Sequence, residues 1–179
     1  MFNDIERIFF SEEEIKAKVS ELGKQISKDY ADKPPLVVGV LKGSFIFMAD
    51  LIRDISVYCD VEFMATSSYG NGTTTTGAVK ITKDLNHDIQ GRHVIIIEDI
   101  LDSGVTLSYL KNYLNAREPA SISICTLLDK PARRKADIAA DYVGFECPDA
   151  FIVGYGLDFA EKYRNLPYIG VLKPEIYEN

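Results

Sequence analysis

The sequence predicts an α/β fold in a single domain, with a mostly parallel central sheet flanked by helices. Its 179 residues are one domain's length, and 46% hydrophobic with 26% charged content can bury a core and stay soluble. Two short branched apolar runs, at 36–41 and 93–97, each lead through a polar loop into a helical pattern. Repetition of that unit gives right-handed crossovers and parallel strands, with ligand expected at the carboxyl ends of the strands.

Ser11 opens the first helix. Its hydroxyl and Glu14, three residues on, make a capping box, and Ile15, Val19, Leu22 and Ile26 form one apolar stripe. After Pro34-Pro35, residues 36–41 read as a strand covered on both faces. Lys42-Gly43-Ser44 turns the chain, and Ser44 is expected to cap a helix through Phe45, Met48, Leu51 and Ile52. Residues 57–66 alternate as a half-exposed strand. Residues 67–77, with Gly70, Gly72, Gly77 and a run of threonines, read as a mobile loop of the kind that acts as a lid. Residues 93–97 form a second buried strand, followed by a helix over about 105–115, and short strands are expected at 121–128, 142–145, 151–153 and 168–172.

Composition excludes several classes. No apolar run approaches the roughly 20 residues that span a bilayer. Met1-Phe2-Asn3-Asp4-Ile5-Glu6 carries acids where a secretory leader carries bases, so a cytoplasmic protein is expected. Cys59, Cys125 and Cys147 are odd in number, form no C-x-x-C and read as reduced thiols, while His87 and His93 belong to no zinc pattern. A net charge of −7 disfavours nucleic acid as a partner.

The segment Ile95-Ile96-Ile97-Glu98-Asp99-Ile100-Leu101-Asp102-Ser103-Gly104-Val105-Thr106-Leu107 combines opposite tasks. Carboxylates after a buried strand accept hydrogen bonds from hydroxyls or hold a metal. Amides at a helix start, a close-packing Gly104 and the hydroxyls of Ser103 and Thr106 suit phosphate. A sugar phosphate satisfies both halves; an acidic turn with an ordinary helix cap is the alternative.

This segment resembles the phosphoribosyl-pyrophosphate (PRPP) binding motif of type I phosphoribosyltransferases. Leu41-Lys42-Gly43-Ser44 resembles their pyrophosphate loop and Ser68-Tyr69 the opening of their lid. Pro148-Asp149-Ala150-Phe151-Ile152-Val153-Gly154-Tyr155-Gly156-Leu157-Asp158 resembles the purine-covering segment of the hypoxanthine-guanine members. Ser44 and Ser103 stand where mammalian members have Gly and Thr. The resemblance implies a type I phosphoribosyltransferase fold, its core at residues 11–145 and a small hood from residues 1–10 and 146–179.

By that resemblance Glu98 and Asp99 meet the ribose hydroxyls, and Asp102, Ser103, Gly104, Val105 and Thr106 surround the sugar phosphate. Asp102 also exchanges the purine's proton as the N9 bond forms, with plain helix capping as the competing account. Lys42, Gly43 and Arg164 meet pyrophosphate, and the Leu41–Lys42 bond is one where a non-proline cis peptide can occur. Lys130 donates to O6 of the purine, favouring 6-oxopurines over adenine, while Phe151 stacks on the base and Ile152 meets its edge through the main chain. Glu98, Asp99 and Asp158 are the implied carboxylates for Mg²⁺, Asp158 also belonging to the purine segment. Simpler accounts stand beside these: a surface lysine at 42, a core aromatic at 151, a surface Asp158–Arg164 pair. Arg133, Arg134 and Lys135 read as a solvated or subunit-contact patch.

The implied activity is purine salvage: transfer of the phosphoribosyl group from PRPP to hypoxanthine or guanine, in a homodimer or homotetramer. The rival is a regulator that keeps the PRPP fold as a sensor.

Overall fold

The computed structural model describes residues 1–68 and 79–178. Tyr69 and the rest of the expected lid up to Gly77 lie outside the described residues; Ser68 is exposed at a strand end. The chain runs β1 (Ile5–Phe10), α1 (Glu12–Asp29), β2 (Leu36–Leu41), α2 (Phe45–Arg53), β3 (Asp60–Ser68), β4 (Val79–Lys83), β5 (His93–Leu101), α3 (Val105–Asn115), β6 (Ser121–Asp129), β7 (Tyr142–Glu146), β8 (Ile152–Val153) and β9 (Ile169–Leu172). Six strands form one sheet in the order β4-β3-β2-β5-β6-β7, parallel throughout except for β4. A second, antiparallel sheet, β1-β9-β8, joins the first strand to the last two.

The capping box at Ser11 forms as expected: its hydroxyl accepts from Glu14 N–H at 3.1 Å, and the Glu14 carboxylate accepts from Ser11 N–H at 2.8 Å. The stripe Ile15, Val19, Leu22 and Ile26 is buried, and α1 packs on α2 and β7. Strands β2 and β5 are covered on both faces. Val37, Ile95 and Ile97 share a core with α1 and α2, and Val38 and Ile96 share another with α3. Each such side chain contributes about 1.5–3 kcal/mol of burial, so the sheet centre is the stiffest part from which to hang a site.

Ser44 departs from expectation. It precedes α2 with no side-chain cap, and its buried hydroxyl instead donates to the Val40 carbonyl at 2.7 Å, tying the turn back onto β2. In β3, Met64 and Glu62 turn inward while Val61 is 42% exposed. The buried Glu62 is accommodated because Asn86 N–H donates to it at 3.1 Å and His87 Nδ1 lies 2.5 Å away. The peptide between Leu41 and Lys42 is cis. No helix among the described residues is long and apolar enough to cross a membrane, and Cys59, Cys125 and Cys147 are free.

Candidate active site

The site lies where the strand order changes direction, between β2 and β5. Pairing of β5 with β2 ends at Gly39↔Ile97, whereas pairing with β6 continues to Leu101↔Asp129. Glu98 and Asp99 therefore sit on the strand itself, past its β2 neighbour, with one backbone edge released. Beyond them Gly104 precedes α3 at φ +76°, and a Cβ there would lie 2.5 Å from Ile138 Cγ2, so both conformation and space call for glycine. Ser103 N–H is taken by Asp102 Oδ1 at 2.7 Å.

A cavity of about 280 Å³ gathers Gly43, Glu98, Asp99, Asp102, Gly104, Thr106, Asp158 and Arg164. Leu41 and Thr66 line it as well, from strand ends that the motif gives no reason to include. Burial and the adjacent Asp99 charge hold the Glu98 carboxyl well above the usual carboxylate range. Burial also raises Asp99, offset in part by hydrogen bonds, Ile100 N–H at 2.8 Å among them, and by Arg164. Two acids forced together in this way suit a ligand that brings donors or a cation.

The cations stand across the cleft. Arg164 donates through Nη1 to the Gly156 carbonyl at 2.7 Å, its Nη2 lies 3.2 Å from Asp158, and its buried Nε has no hydrogen-bond partner among the described residues. Lys42 Nζ pairs with Glu161 at 2.8 Å. Lys130 Nζ donates to the Ala150 carbonyl at 3.0 Å and lies 3.3 Å from Asp149, which docks β6 onto the segment carrying Phe151. Lys130, Phe151 and Ile152 do not line the 280 Å³ cavity. Phe151, 37% exposed, stacks on Tyr177 at 4.5 Å and meets Phe159 edge-on at 5.4 Å. Ile152 is buried in β8. Among the described residues no group of three or more His, Cys, Asp or Glu side chains is gathered to hold a metal ion, so Asp158 is not in one ligand set with Glu98 and Asp99.

Arg134 is not a solvated residue. Its Nε donates to the Asp102 carbonyl at 3.0 Å, its Nη1 to the Ile138 carbonyl at 2.8 Å, and it pairs with Asp129. Lys135 and Ala136 N–H groups donate to the Ser103 carbonyl at 2.9 and 3.0 Å. The basic stretch thus clamps the loop before α3 from behind.

A model of the phosphoribosyl transferase domain matches residues 9–160. The chain belongs to the phosphoribosyltransferase family. It is 60% identical over 179 residues to a hypoxanthine-guanine phosphoribosyltransferase of Bacillus subtilis, covering 100% of this chain and 99% of that protein. It also matches the bifunctional protein TilS/HprT of Listeria monocytogenes at 56% identity over 99% of the chain, spanning 27% of that longer protein. A crystal structure of a hypoxanthine phosphoribosyltransferase from Staphylococcus aureus superposes with TM-score 0.97 at 54% identity, covering 100% of this chain and 97% of that one.

For a phosphoribosyltransferase with this acid pair, the ligand-free stability should carry its signature. Between the ordinary carboxylate range and Glu98's raised value, the folded protein holds a proton that the unfolded chain has lost, so stability falls as pH rises through that window. Glu98→Gln removes the penalty and is expected to raise Tm near neutral pH, by about 2–4 °C per kcal/mol relieved in a chain of this size. The lowered carboxyls of Glu62 and Asp84 titrate in both proteins and cancel from the difference. Calorimetric melts of both proteins from about pH 5 to 8 check it, and parallel curves would sink it.

Proposed function

We propose that the chain is a purine salvage enzyme that transfers the 5-phosphoribosyl group from PRPP to hypoxanthine or guanine, giving the nucleoside monophosphate and pyrophosphate. One observation carries this reading: the ribose-type acids Glu98 and Asp99, the loop before α3 and the cation Arg164 line a single cavity. Full-length likeness to named hypoxanthine-guanine enzymes supports the choice of base.

In this reading Glu98 and Asp99 accept from the ribose hydroxyls, and the loop from Asp102 to Thr106 holds the 5-phosphate at the amino end of α3. Lys42, Gly43 and Arg164 hold the diphosphate. The C1–oxygen bond to diphosphate breaks ahead of formation of the C1–N9 bond, so positive charge develops on the ribose and the adjoining acids favour it. Asp102 takes the proton that the purine loses. Lys130 donates to O6, Phe151 covers the base from its position on Tyr177, and Ile152 offers backbone at its edge. Ser68 and Tyr69 begin the lid that excludes water. Mg²⁺ suits hard carboxylate oxygens, either those of the Glu98–Asp99 pair or that of Asp158 separately, and would offset diphosphate charge there. The lobe from residues 1–10 and 146–179 serves as the hood over the core. We also place the enzyme in the cytoplasm, bound to neither nucleic acid nor membrane, as a homodimer or homotetramer; the exposed Tyr58 and Val61 offer apolar surface for such an assembly.

The test is a spectrophotometric assay with PRPP and magnesium, offering hypoxanthine, guanine, xanthine, adenine and uracil separately. Turnover of hypoxanthine or guanine with adenine and uracil inert is expected. Protein that binds PRPP yet turns over no base would be the sensor instead.

A further inference from the structure

We infer that Glu161 is a built-in stand-in for the diphosphate: its carboxylate joins Lys42 to Arg164 and competes with the leaving group for both cations. This rests on the reading in which Lys42 and Arg164 bind diphosphate, and adds to it a residue that governs how tightly that product is held.

The geometry is specific. Glu161 Oε2 lies 2.8 Å from Lys42 Nζ, and Oε1 lies 3.4 Å from Arg164 Nη2. Lys42 comes from the turn after β2, 119 residues away in sequence, so this is a contact across the cleft and not a local helix pair. The segment that presents the carboxylate is wound through left-handed conformations at Ala160 (φ +51°), Glu161 (φ +65°) and Tyr163 (φ +76°), which non-glycine residues adopt only where surroundings impose them. Those surroundings are visible. Asp158 accepts from Glu161 N–H at 2.8 Å, Phe159 and Lys162 exchange backbone bonds at 3.1 and 3.0 Å, and Tyr163 donates its hydroxyl to Asp4 at 2.9 Å.

The charge and exposure fit a displaceable anion. The Lys42 hydrogen bond holds the Glu161 carboxyl below its usual range, so it is ionised at neutral pH. Both side chains of the Lys42 pair are about two-thirds exposed, at 66% and 65%, and such pairs are weak. One carboxylate therefore offsets part of the charge of the two cations, Asp158 at 3.2 Å from Arg164 Nη2 sharing that task, yet yields to a diphosphate, whose several charged oxygens form stronger charge-assisted bonds. The same carboxylate re-enters as product leaves.

The test is calorimetric titration of inorganic pyrophosphate with magnesium into wild type, Glu161→Gln and Glu161→Asp, with steady-state kinetics alongside. Glu161→Gln is expected to bind pyrophosphate about two- to five-fold more tightly at low salt, the gain shrinking near 0.5 M salt by screening. PRPP KM and kcat should both fall, as tighter binding slows release, while Glu161→Asp stays close to wild type. Unchanged or weaker binding by Glu161→Gln overturns the inference, because a purely structural Glu161 would lose affinity and melting temperature together. If that variant fails to fold, Glu161→Asn, which tolerates the left-handed conformation, is read in the same way. Wild type that binds no pyrophosphate would instead overturn the roles of Lys42 and Arg164.

Discussion

Alanine at position 43 is expected to abolish turnover while leaving the protein folded. A Cβ on Gly43 would fall onto the Asp99 carboxylate, 2.6 Å from its Cγ and closer still to Oδ2. The carboxylate cannot simply turn away, because Oδ1 is held by Ile100 N–H at 2.8 Å and the side chain is enclosed beside Glu98. Either Asp99 swings out of the cavity or the turn after β2 retreats, and both separate the two walls that the proposed reaction needs about PRPP. Displacements near 1 Å in such sites cost about 10²-fold in rate, so a fall in kcat/KM of at least that size is expected. The strain is confined to the cleft rim, away from the two cores, so the melting temperature should drop by only a few degrees, about 1 kcal/mol. Steady-state kinetics and a thermal melt on the same preparation check both parts. Retained turnover would mean that the reaction does not depend on where Asp99 sits against the turn after β2.

Asparagine at position 102 carries the second large effect. Asp102 Oδ1 accepts from Ser103 N–H at 2.7 Å, a bond within the loop and not a cap, since Gly104 opens α3 with no side-chain cap, and an asparagine side-chain oxygen can make the same contact. The substitution therefore keeps the loop contact while removing the negative charge and with it the capacity to take a proton. General acid–base catalysis contributes roughly 10²- to 10⁴-fold, so kcat should fall within that range while PRPP affinity, followed by calorimetry, stays within about two-fold of wild type. Unchanged kcat would leave Asp102 only its loop contact with Ser103, the capping alternative being already set aside because no side chain caps α3.

The parts of the fold legible in the sequence are those set by local chemistry. The capping box at Ser11 and Glu14, the stripe from Ile15 to Ile26 and the bounds of α3 depend on neighbours within a few residues. The two buried strands announce themselves by apolar runs free of polar residues, Leu36 to Leu41 and Val94 to Ile97. The acids, Gly104 and Thr106 could be placed in one site because they are nearly contiguous and follow the better of those strands. What stayed hidden depends on distant partners. β1 is a strand only because β9 pairs with it, and β4 only because β3 does. Arg134 reads as surface charge until Asp102, Asp129 and Ile138 surround it, and Tyr177 is an unremarked residue near the chain's end until Phe151 lies on it. Ser44 shows the limit of residue-type rules: a serine before a helix is a capping signal, but burial against β2 gives its hydroxyl a nearer acceptor.

The small sheet imposes an order on assembly. β9 lies between β1 and β8, with Ile152 opposite Val171 and Ile8 opposite Gly170. Neither outer strand has a partner until residues 169–172 have been made, whereas every strand of the large sheet has been made by Glu146. During synthesis from the amino terminus, the half of the cleft built on β2 and β5 can close its hydrogen-bond ladder first, and β1 waits about 160 residues for its neighbour, a loop closure of high entropic cost. A chain emerging from the ribosome therefore completes the β2–β5 wall of its cleft before the small sheet beside Phe151 can form.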